Sequence, residues 1–256
     1  MKITFLGTGT SVGVPMIACH CAVCQSNDPR DHRLRTSVLV EIDNFCCIID
    51  TGPDFRQQML RQKVQQLNAI LYTHHHQDHI IGLDDVRPFN IWSTQPMPIY
   101  ATEHTQQHLK RTFSYAFGDN PYPGSPTLHL HTIDDEQIFF LQPHIKVVPI
   151  PIVHGNLNMI GFRINNFTYI TDASYISPES IAKICGSEIL VLNALRHELH
   201  WSHFNLEQAV AIAQKIGANH TYFTHISHQL GKYADISKQL PPNIFLAHDS
   251  LTVECK

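Results

Sequence analysis

Short runs of alternating hydrophobic and polar residues predict strands, and longer amphipathic runs between them predict helices. The predicted strands are Lys2–Leu6, Ser37–Ile42, Phe45–Asp50, Ala69–Tyr72, Pro98–Ala101, Ile145–Pro151, Met159–Ile164, Phe167–Thr171, Ile189–Leu192, His220–Thr224 and Ile244–Ala247. The predicted helices are Asp54–Lys63, Leu83–Trp92, Glu103–Phe113, Pro178–Ile184 and Asn205–Ile216. The Gly- and Pro-rich stretch Gly118–Pro126 is typical of a loop and is expected to cover the site.

These elements occur in the same style in both halves of the chain. No low-complexity linker separates the halves, so we expect a single domain over residues 1–256. The predicted arrangement is two sheets packed face to face with helices outside.

Charge and composition restrict the partners. A net charge of −4 provides no general basic field for long nucleic acid. The short basic run of Arg30, Arg33 and Arg35 is more typical of a solvated loop. No stretch resembles a signal peptide or a membrane span, so we expect a cytoplasmic protein with no membrane partner.

The most informative segment is Thr-His-His-His-Gln-Asp-His at positions 73–79. It follows the predicted strand Ala69–Tyr72 and contains four potential metal ligands: His74, His76, Asp78 and His79. In an extended chain His75 points the opposite way from its neighbours and is left out. Two divalent cations held by such a cluster could activate water and bind a phosphate.

Three further potential ligands each stand at the end of an apolar strand pattern. They are His154, Asp172 and His225. A ligand at a strand end is rigidly placed, which a catalytic ion needs. The seven cysteines divide into two sets. Cys19, Cys21 and Cys24 have metal-ligand spacing, whereas Cys46, Cys47, Cys185 and Cys255 are assigned packing roles.

The ordered histidine and aspartate set resembles the metallo-β-lactamase superfamily. That resemblance implies an α+β fold, a four-layer αββα sandwich of two packed mixed sheets with helices outside. It implies a first metal on His74, His76 and His154, and a second on Asp78, His79 and His225. Asp172 corresponds to the bridging carboxylate and Asp50 to an aspartate that supports the ligands. The His/Asp ligands suit Zn²⁺, Mn²⁺ or Fe²⁺.

A sharper resemblance is to the PhnP-like phosphodiesterases. It is carried by Gly7–Pro15, the cysteine run, Gly82–Arg87 and Thr224–His228. It implies hydrolysis of a small (cyclic) phosphodiester or nucleotide by a hydroxide shared between two metals. It also implies a structural Zn²⁺ on Cys19, Cys21, Cys24 and His228, and it is compatible with a homodimer.

The same resemblance points to a proton donor for the leaving alkoxide. His203, in Ser-His-Phe-Asn-Leu before a helix, matches the group's general acid best, and His200 is the second candidate. We expect Asp78 to be a catalytic residue as well as a metal ligand. Arg56 and Arg87 are candidate phosphate binders, although structural ion pairs are the commoner role for such residues.

Two other functions remain open from the sequence. The same metal site could hydrolyse a thioester or a lactone. The excess of histidine, 19 residues, would also suit a metal-binding protein without catalysis, although ligands at strand ends favour an enzyme. The chain lacks the long inserted arm of transfer-RNA-processing relatives, which argues against a large RNA substrate.

Overall fold

The computed structural model describes residues 1–118, 121–134 and 136–255. The strands in these residues are β1 Lys2–Gly7, β2 Ser37–Ile42, β3 Phe45–Ile49, β4 Ala69–Leu71, β5 Met97–Ala101, β6 Leu128–Thr132, β7 Phe139–Gln142, β8 Ile145–His154, β9 Leu157–Ile164, β10 Phe167–Tyr169, β11 Ile189–Asn193, β12 His220–Thr224, β13 Ile244–Leu246 and β14 Thr252–Glu254. The α-helices are α1 Phe55–Gln62, α2 Gln77–Ile80, α3 Arg87–Ser93, α4 Glu103–Thr112, α5 Pro178–Ile184, α6 Leu206–Ile216 and α7 Tyr233–Ile236.

The strands form two mixed sheets of seven strands each. The first has the order β14-β1-β2-β3-β4-β5-β6 and the second the order β13-β12-β11-β10-β9-β8-β7. In each sheet four successive strands pair in parallel, from β3 to β6 and from β10 to β13. The carboxyl ends of these parallel strands therefore meet at one edge of each sheet.

Alternation along the strands builds three apolar layers. Val38, Val40 and Ile49 of the first sheet pack in one cluster with Phe162 and Val191 of the second. The opposite faces carry separate clusters, one joining the first sheet to helices α1 and α4 and one joining the second sheet to α5 and α6. The layers are therefore helix, sheet, sheet, helix, as predicted.

Three strands and three helices differ from the sequence prediction, and among the helices α2 and α7, of four residues each, are absent from it. The strands β6, β7 and β14 were not predicted, and each lies at or next to an edge of its sheet. The predicted helix Leu83–Trp92 is instead a 3₁₀ segment, Ile81–Val86, followed by α3. Within the predicted loop 118–126, residues 119 and 120 lie outside the described residues.

The basic run does not form a solvated loop throughout, because Arg33 is buried. Its Nη1 donates hydrogen bonds to Thr8 Oγ1 at 2.8 Å and to the Ala247 carbonyl oxygen at 2.7 Å. These bonds satisfy the guanidinium inside the fold. Cys185 also departs from its expected packing role, because it is exposed at the end of α5.

No helix in the part of the chain that the structure describes combines the length and the apolar character needed to cross a bilayer.

Candidate metal centre

Strand ends bring the predicted ligands to one place. The segment with His74, His76, Asp78 and His79 follows β4 and enters α2. His154 is the last residue of β8, while Asp172 lies three residues beyond β10 and His225 directly follows β12. These four pieces of sequence therefore reach the site from both sheets.

Tight backbone turns follow three strands at the site, namely β3, β10 and β12. Asp50, Asp172 and His225 have φ angles of +63°, +57° and +55°. This left-handed region is uncommon for residues other than glycine, although Asp and His are enriched there among the exceptions. Such strain is concentrated at functional sites, where the surrounding structure holds it in place.

The ligand atoms form two adjoining groups. One contains His74, His76 and His154, and the other contains Asp78, His79, Asp172 and His225, with the donor atoms of each group within 4.8 Å of one another. The grouping matches the division into two metals that the sequence resemblance implies. The structure thus brings together all seven predicted ligands, which are spread between positions 74 and 225 of the sequence.

The carboxylate of Asp172 lies between the two groups. Its Oδ2 is 3.2 Å from His225 Nε2 and 4.0 Å from His154 Nε2. Its Oδ1 is 3.5 Å from His79 Nε2. The Oδ2 atom therefore lies within 4.0 Å of a histidine from each group, which is a suitable position for a bridging ligand.

Unpartnered nitrogens at the centre fit a metal site. The Nε2 atoms of His74, His79 and His225 are buried, and none makes a hydrogen bond to another described residue. Buried polar atoms normally have a hydrogen-bond partner. Imidazole nitrogens and carboxylate oxygens are suitable donors for Zn²⁺, Mn²⁺ or Fe²⁺, so these residues could hold two such ions.

Hydrogen bonds behind the ligands set their tautomers. The Thr73 hydroxyl donates its hydrogen to Asp50 Oδ2 at 2.8 Å. Thr73 Oγ1 therefore accepts the hydrogen bond from His74 Nδ1, which is 3.0 Å away. His79 Nδ1 donates to Asp50 Oδ2 at 2.8 Å, and His154 Nδ1 donates to the Ser202 carbonyl oxygen at 2.7 Å. In all three rings the Nε2 lone pair therefore remains free for a metal.

The electrostatics of the centre also favour a cation. Burial lowers the pKa of His79, but the carboxylates of Asp172, Asp78 and Asp50 outweigh this effect and raise that pKa well above its ordinary value. Burial raises the pKa of Asp172, but His225 and His79 outweigh it and hold that pKa well below its usual range. Buried carboxylates at this density need positive charge beside them.

His203 lies next to the ligands, and His200 lies one step further out. His203 Nε2 is 3.2 Å from Asp172 Oδ2, and its Nδ1 is 3.2 Å from His200 Nδ1. Burial lowers the pKa of His203 to about 4, against the opposing effect of Asp172. The neutral ring donates through Nε2 to Asp172 and accepts through Nδ1 from Ser202 Oγ, 3.0 Å away.

A cavity of about 490 Å³ opens onto the centre and is lined by His76, Asp78, Asp172, His203 and Trp201 among others. This volume is typical of pockets for small ligands. The Trp201 side chain is 72% exposed and covers Gly155, where an added Cβ would lie 2.2 Å from Trp201 Cζ3. The indole thus presents a flat apolar face at the rim.

The cysteine run meets His228 on a different part of the surface. Cys19, Cys21, Cys24 and His228 have donor atoms within 4.8 Å of one another, and His228 Nδ1 is 3.3 Å from Cys21 Sγ. The backbone N–H of Cys24 and the His228 ring lower the pKa of Cys21 to about 6, whereas burial raises the pKa of Cys24 to about 11. Three sulfur atoms and one imidazole are a complete tetrahedral set for Zn²⁺.

The two arginines considered as phosphate binders lie away from the cavity. Arg87 pairs with Asp84, and Arg56 lines a different surface cavity beside α1 and α3. Sequence reasoning missed the supporting roles of Thr73 and Ser202. Threonine before a metal-binding segment was the only signal for Thr73, and Ser202 acts through its backbone carbonyl, which sequence does not mark.

Residues 47–226 match a family model described as a beta-lactamase superfamily domain, which is more than half of the chain. The fold, the convergent His/Asp set and this match define a domain of the metallo-hydrolase class. The chain belongs to the beta-lactamase superfamily.

A solved structure described as a new diphosphatase from the PhnP family is 44% identical, with a TM-score of 0.92, over 100% of this chain and 98% of that one. The predicted resemblance to the PhnP group is thereby confirmed. Human tRNase Z, short form, shares the fold at 19% identity and a TM-score of 0.72, with 99% of each chain covered.

Two curated relatives extend beyond the matched region. An octanoyltransferase of Porphyromonas gingivalis strain W83 is 37% identical over 98% of this chain but only 51% of its own length. A ribonuclease Z of Methanococcus maripaludis strain C6 is 24% identical over 60% of this chain and 46% of its own length. The chain therefore spans about half the length of the curated relatives it matches.

Proposed function

We propose that the chain, acting as one domain, hydrolyses small phosphodiesters with two divalent metal ions held by His74, His76, Asp78, His79, His154, Asp172 and His225. The observation that carries this proposal is His203, a histidine additional to the ligand set. Its Nε2 is 3.2 Å from the central carboxylate of Asp172, and it lines the cavity. Metal ions held by these residues would activate water near neutral pH and neutralise charge on phosphate oxygens.

His203 is the proposed proton donor for the leaving alkoxide. In the ligand-free pocket the pKa of His203 is about 4, so the ring is neutral near pH 7 and must take up a second proton from solvent when the substrate binds. The negative charge of a phosphodiester placed beside the ring raises that pKa and favours the imidazolium. His200 contacts His203 on the side away from Asp172, so we assign it a positioning role.

The proposed substrate is a nucleotide or another small phosphodiester with a flat group. The cavity volume of about 490 Å³ suits a molecule of that size. The exposed indole of Trp201 offers a stacking surface for a base. The net charge of −4 does not favour a long polyanion.

We assign a structural Zn²⁺ to Cys19, Cys21, Cys24 and His228. The backbone around the site supports this role, because Ile226 N donates to the Thr8 carbonyl oxygen at 2.9 Å and Thr10 N donates to the Ile226 carbonyl oxygen at 3.2 Å. An ion at the cysteines would therefore fasten the N-terminal loop to the segment that begins with His225.

The printed name of the Porphyromonas relative does not transfer acyl chemistry to this chain. That protein is about twice as long as the matched region, so its named activity could belong to the rest of it. An octanoyl thioester is nevertheless the natural competing substrate to include in a test.

The test is an activity panel on one preparation of known metal content. The panel contains 2′,3′-cyclic nucleotides, ribose 1,2-cyclic phosphate, bis-p-nitrophenyl phosphate, an octanoyl thioester and a lactone. We expect phosphodiester hydrolysis that is lost with a chelator and restored by Zn²⁺ or Mn²⁺. Turnover of the thioester or lactone alone, or metal without turnover of any ester, would contradict the proposal.

A further inference from the structure

A second group of histidines lies beside the proposed centre and belongs to neither metal group. His75, His104 and His108 have ring nitrogens within 4.8 Å of one another. His75 follows β4, and the other two lie on α4. The direction predicted for His75, opposite to His74 and His76, is what takes it to this group.

The spacing on α4 is that of a helical chelate. Residues four apart lie on the same face of a helix, and His104 and His108 stand one turn apart with ring centroids separated by 4.9 Å. Two histidines at i and i+4 form one side of known zinc sites. His75 closes the group, because its ring lies 3.7 Å from that of His108 and 4.9 Å from that of His104.

The ring nitrogens of this group have no other use among the described residues. No side-chain hydrogen bond there involves His75, His104 or His108, and His75 Nδ1 is buried without a partner. A buried nitrogen in that situation is unfavourable unless a donor or a metal ion satisfies it. Three contacting imidazoles offer acceptor nitrogens that no described donor occupies. A cation can bind these nitrogens, whereas stacking of the rings alone leaves them without a partner.

We propose that His75, His104 and His108 form a third transition-metal site, suited to Zn²⁺, Ni²⁺ or Cu²⁺, with remaining coordination positions open to solvent. Imidazole donors select these ions. A metal–nitrogen distance of about 2.0–2.1 Å requires the three ring nitrogens to lie closer together than 4.8 Å. Rotation of the exposed His104 side chain brings its nitrogen closer to the other two.

An ion at this site would connect two elements of the fold. His75 lies between His74 and His76 in sequence and also lines the catalytic cavity. Helix α4 would therefore be tied to the segment that carries two proposed ligands of the first metal. The proposal concerns only this peripheral ion and stands or fails independently of the reaction.

The test measures nickel uptake by protein already loaded with zinc. Dialysis against Ni²⁺, followed by elemental analysis of both metals, compares the wild type with His104→Gln, His108→Gln and the double variant. The matched control is His129→Gln, an exposed member of another contacting pair, His129 and His131, that offers only two imidazoles.

We expect the wild type and the control to bind one more equivalent of Ni²⁺ than the double variant, with zinc content unchanged in all proteins. We also expect Ni²⁺ to raise Tm in the wild type and the control by more than in the double variant, since a ligand of the native state stabilises it. Equal uptake and equal Tm shifts in all proteins would overturn the site. Circular dichroism verifies that the substituted helix remains folded.

Discussion

At the scale of single residues, the exposed indole of Trp201 is expected to decide how strongly a nucleotide binds. Trp201→Ala should raise KM for a cyclic nucleotide about 5–100-fold, because stacking of a base on an aromatic ring is worth about 1–3 kcal/mol. The KM for a small phosphodiester without a base should change little. Steady-state kinetics on the two substrates measures the difference.

Trp201→Phe is the matched control for that prediction. A phenyl ring keeps a stacking surface over Gly155, so its KM for the nucleotide should lie between those of the wild type and the alanine variant. Equal KM increases on both substrates would show that Trp201 supports the pocket rather than a base.

The role of His203 gives a prediction that depends on the leaving group. His203→Ala should lower kcat about 10²–10⁴-fold on substrates with an alkoxide leaving group, because loss of a general acid typically costs that much. Bis-p-nitrophenyl phosphate, whose leaving group departs without a proton, should lose much less. Parallel measurements on both substrates test this, with His200→Ala as the milder control.

The same loss of kcat on both substrates would remove the proton-donor role from His203. It would leave a positioning role through the hydrogen bond to Asp172.

The sequence identified the residues that converge in the structure but not their surroundings. His74, His76, Asp78 and His79 are close in sequence, and His154 and His225 are marked by the strands before them. By contrast, the group of His75, His104 and His108 joins residues about thirty positions apart, and only the packing of α4 against the strand ends brings them together.

At the scale of elements, the ends of β3 and β4 cooperate through Asp50. This buried carboxylate accepts from the Thr73 backbone N–H at 2.9 Å, from Thr73 Oγ1 and from His79 Nδ1. It therefore fixes the backbone of the metal-binding segment and the tautomer of one ligand.

Asp50→Asn should lower metal affinity about 10–100-fold, as loss of such supporting contacts does. The amide NH₂ would face His79 Nδ1 and favour the tautomer with a proton on Nε2, the nitrogen needed for the metal. Asn tolerates the left-handed φ of +63° at this position, so the backbone is preserved. Metal content after dialysis against a chelator measures the effect.

Thr73→Ser keeps the hydroxyl that donates a hydrogen bond to Asp50. It is therefore the control for the asparagine variant. It should retain metal like the wild type. Full metal retention by Asp50→Asn would show that the strand ends hold the ligands without this carboxylate.

Element prediction succeeded where the apolar pattern was strong and failed at the margins of the sheets. The strand β6 alternates leucine with histidine over only five residues, none of them fully buried, so its apolar pattern is weak. The strand β14 is only three residues long, below the length at which periodicity is informative. The 3₁₀ turn over Ile81–Val86 depends on Gly82, which packs directly against the backbone of Gly52.

At the scale of the whole molecule, the proposed zinc site would connect the N-terminal loop to the segment that begins with His225. Zinc binding there should strengthen with pH. The pKa of Cys24 is raised to about 11, so its proton must leave when the metal binds at neutral pH, whereas Cys21, with a pKa of about 6, is already ionised. Because zinc displaces this proton from Cys24, the apparent affinity for zinc should increase about tenfold for each unit by which the pH rises below pH 11.

Competition with a chromophoric chelator between pH 6.5 and 8 measures this dependence. Cys24→Ser, which removes the thiol that must lose a proton, should weaken binding and flatten the pH dependence. An affinity that is unchanged over this range in the wild type would contradict the assignment of Cys24 as a zinc ligand.

The global arrangement was accessible from sequence because both halves repeat the same order of strands and helices. The first half provides six strands of one sheet, and the second half provides all seven strands of the other together with β14, which completes the first sheet at its edge. The apolar faces that remain after helix packing meet in a common core. What sequence could not provide is the relative placement of the two sheets, which determines that Asp172 stands between the two groups of ligands.

The most direct test of this account is anomalous diffraction from crystals of the protein loaded with Zn²⁺ or Mn²⁺. We expect a pair of peaks about 3.5–4 Å apart, as in other two-metal sites. One should lie among His74, His76 and His154, and the other among Asp78, His79 and His225, with Asp172 between them. A lone peak, or peaks elsewhere while these residues remain without metal, would contradict the two-metal centre.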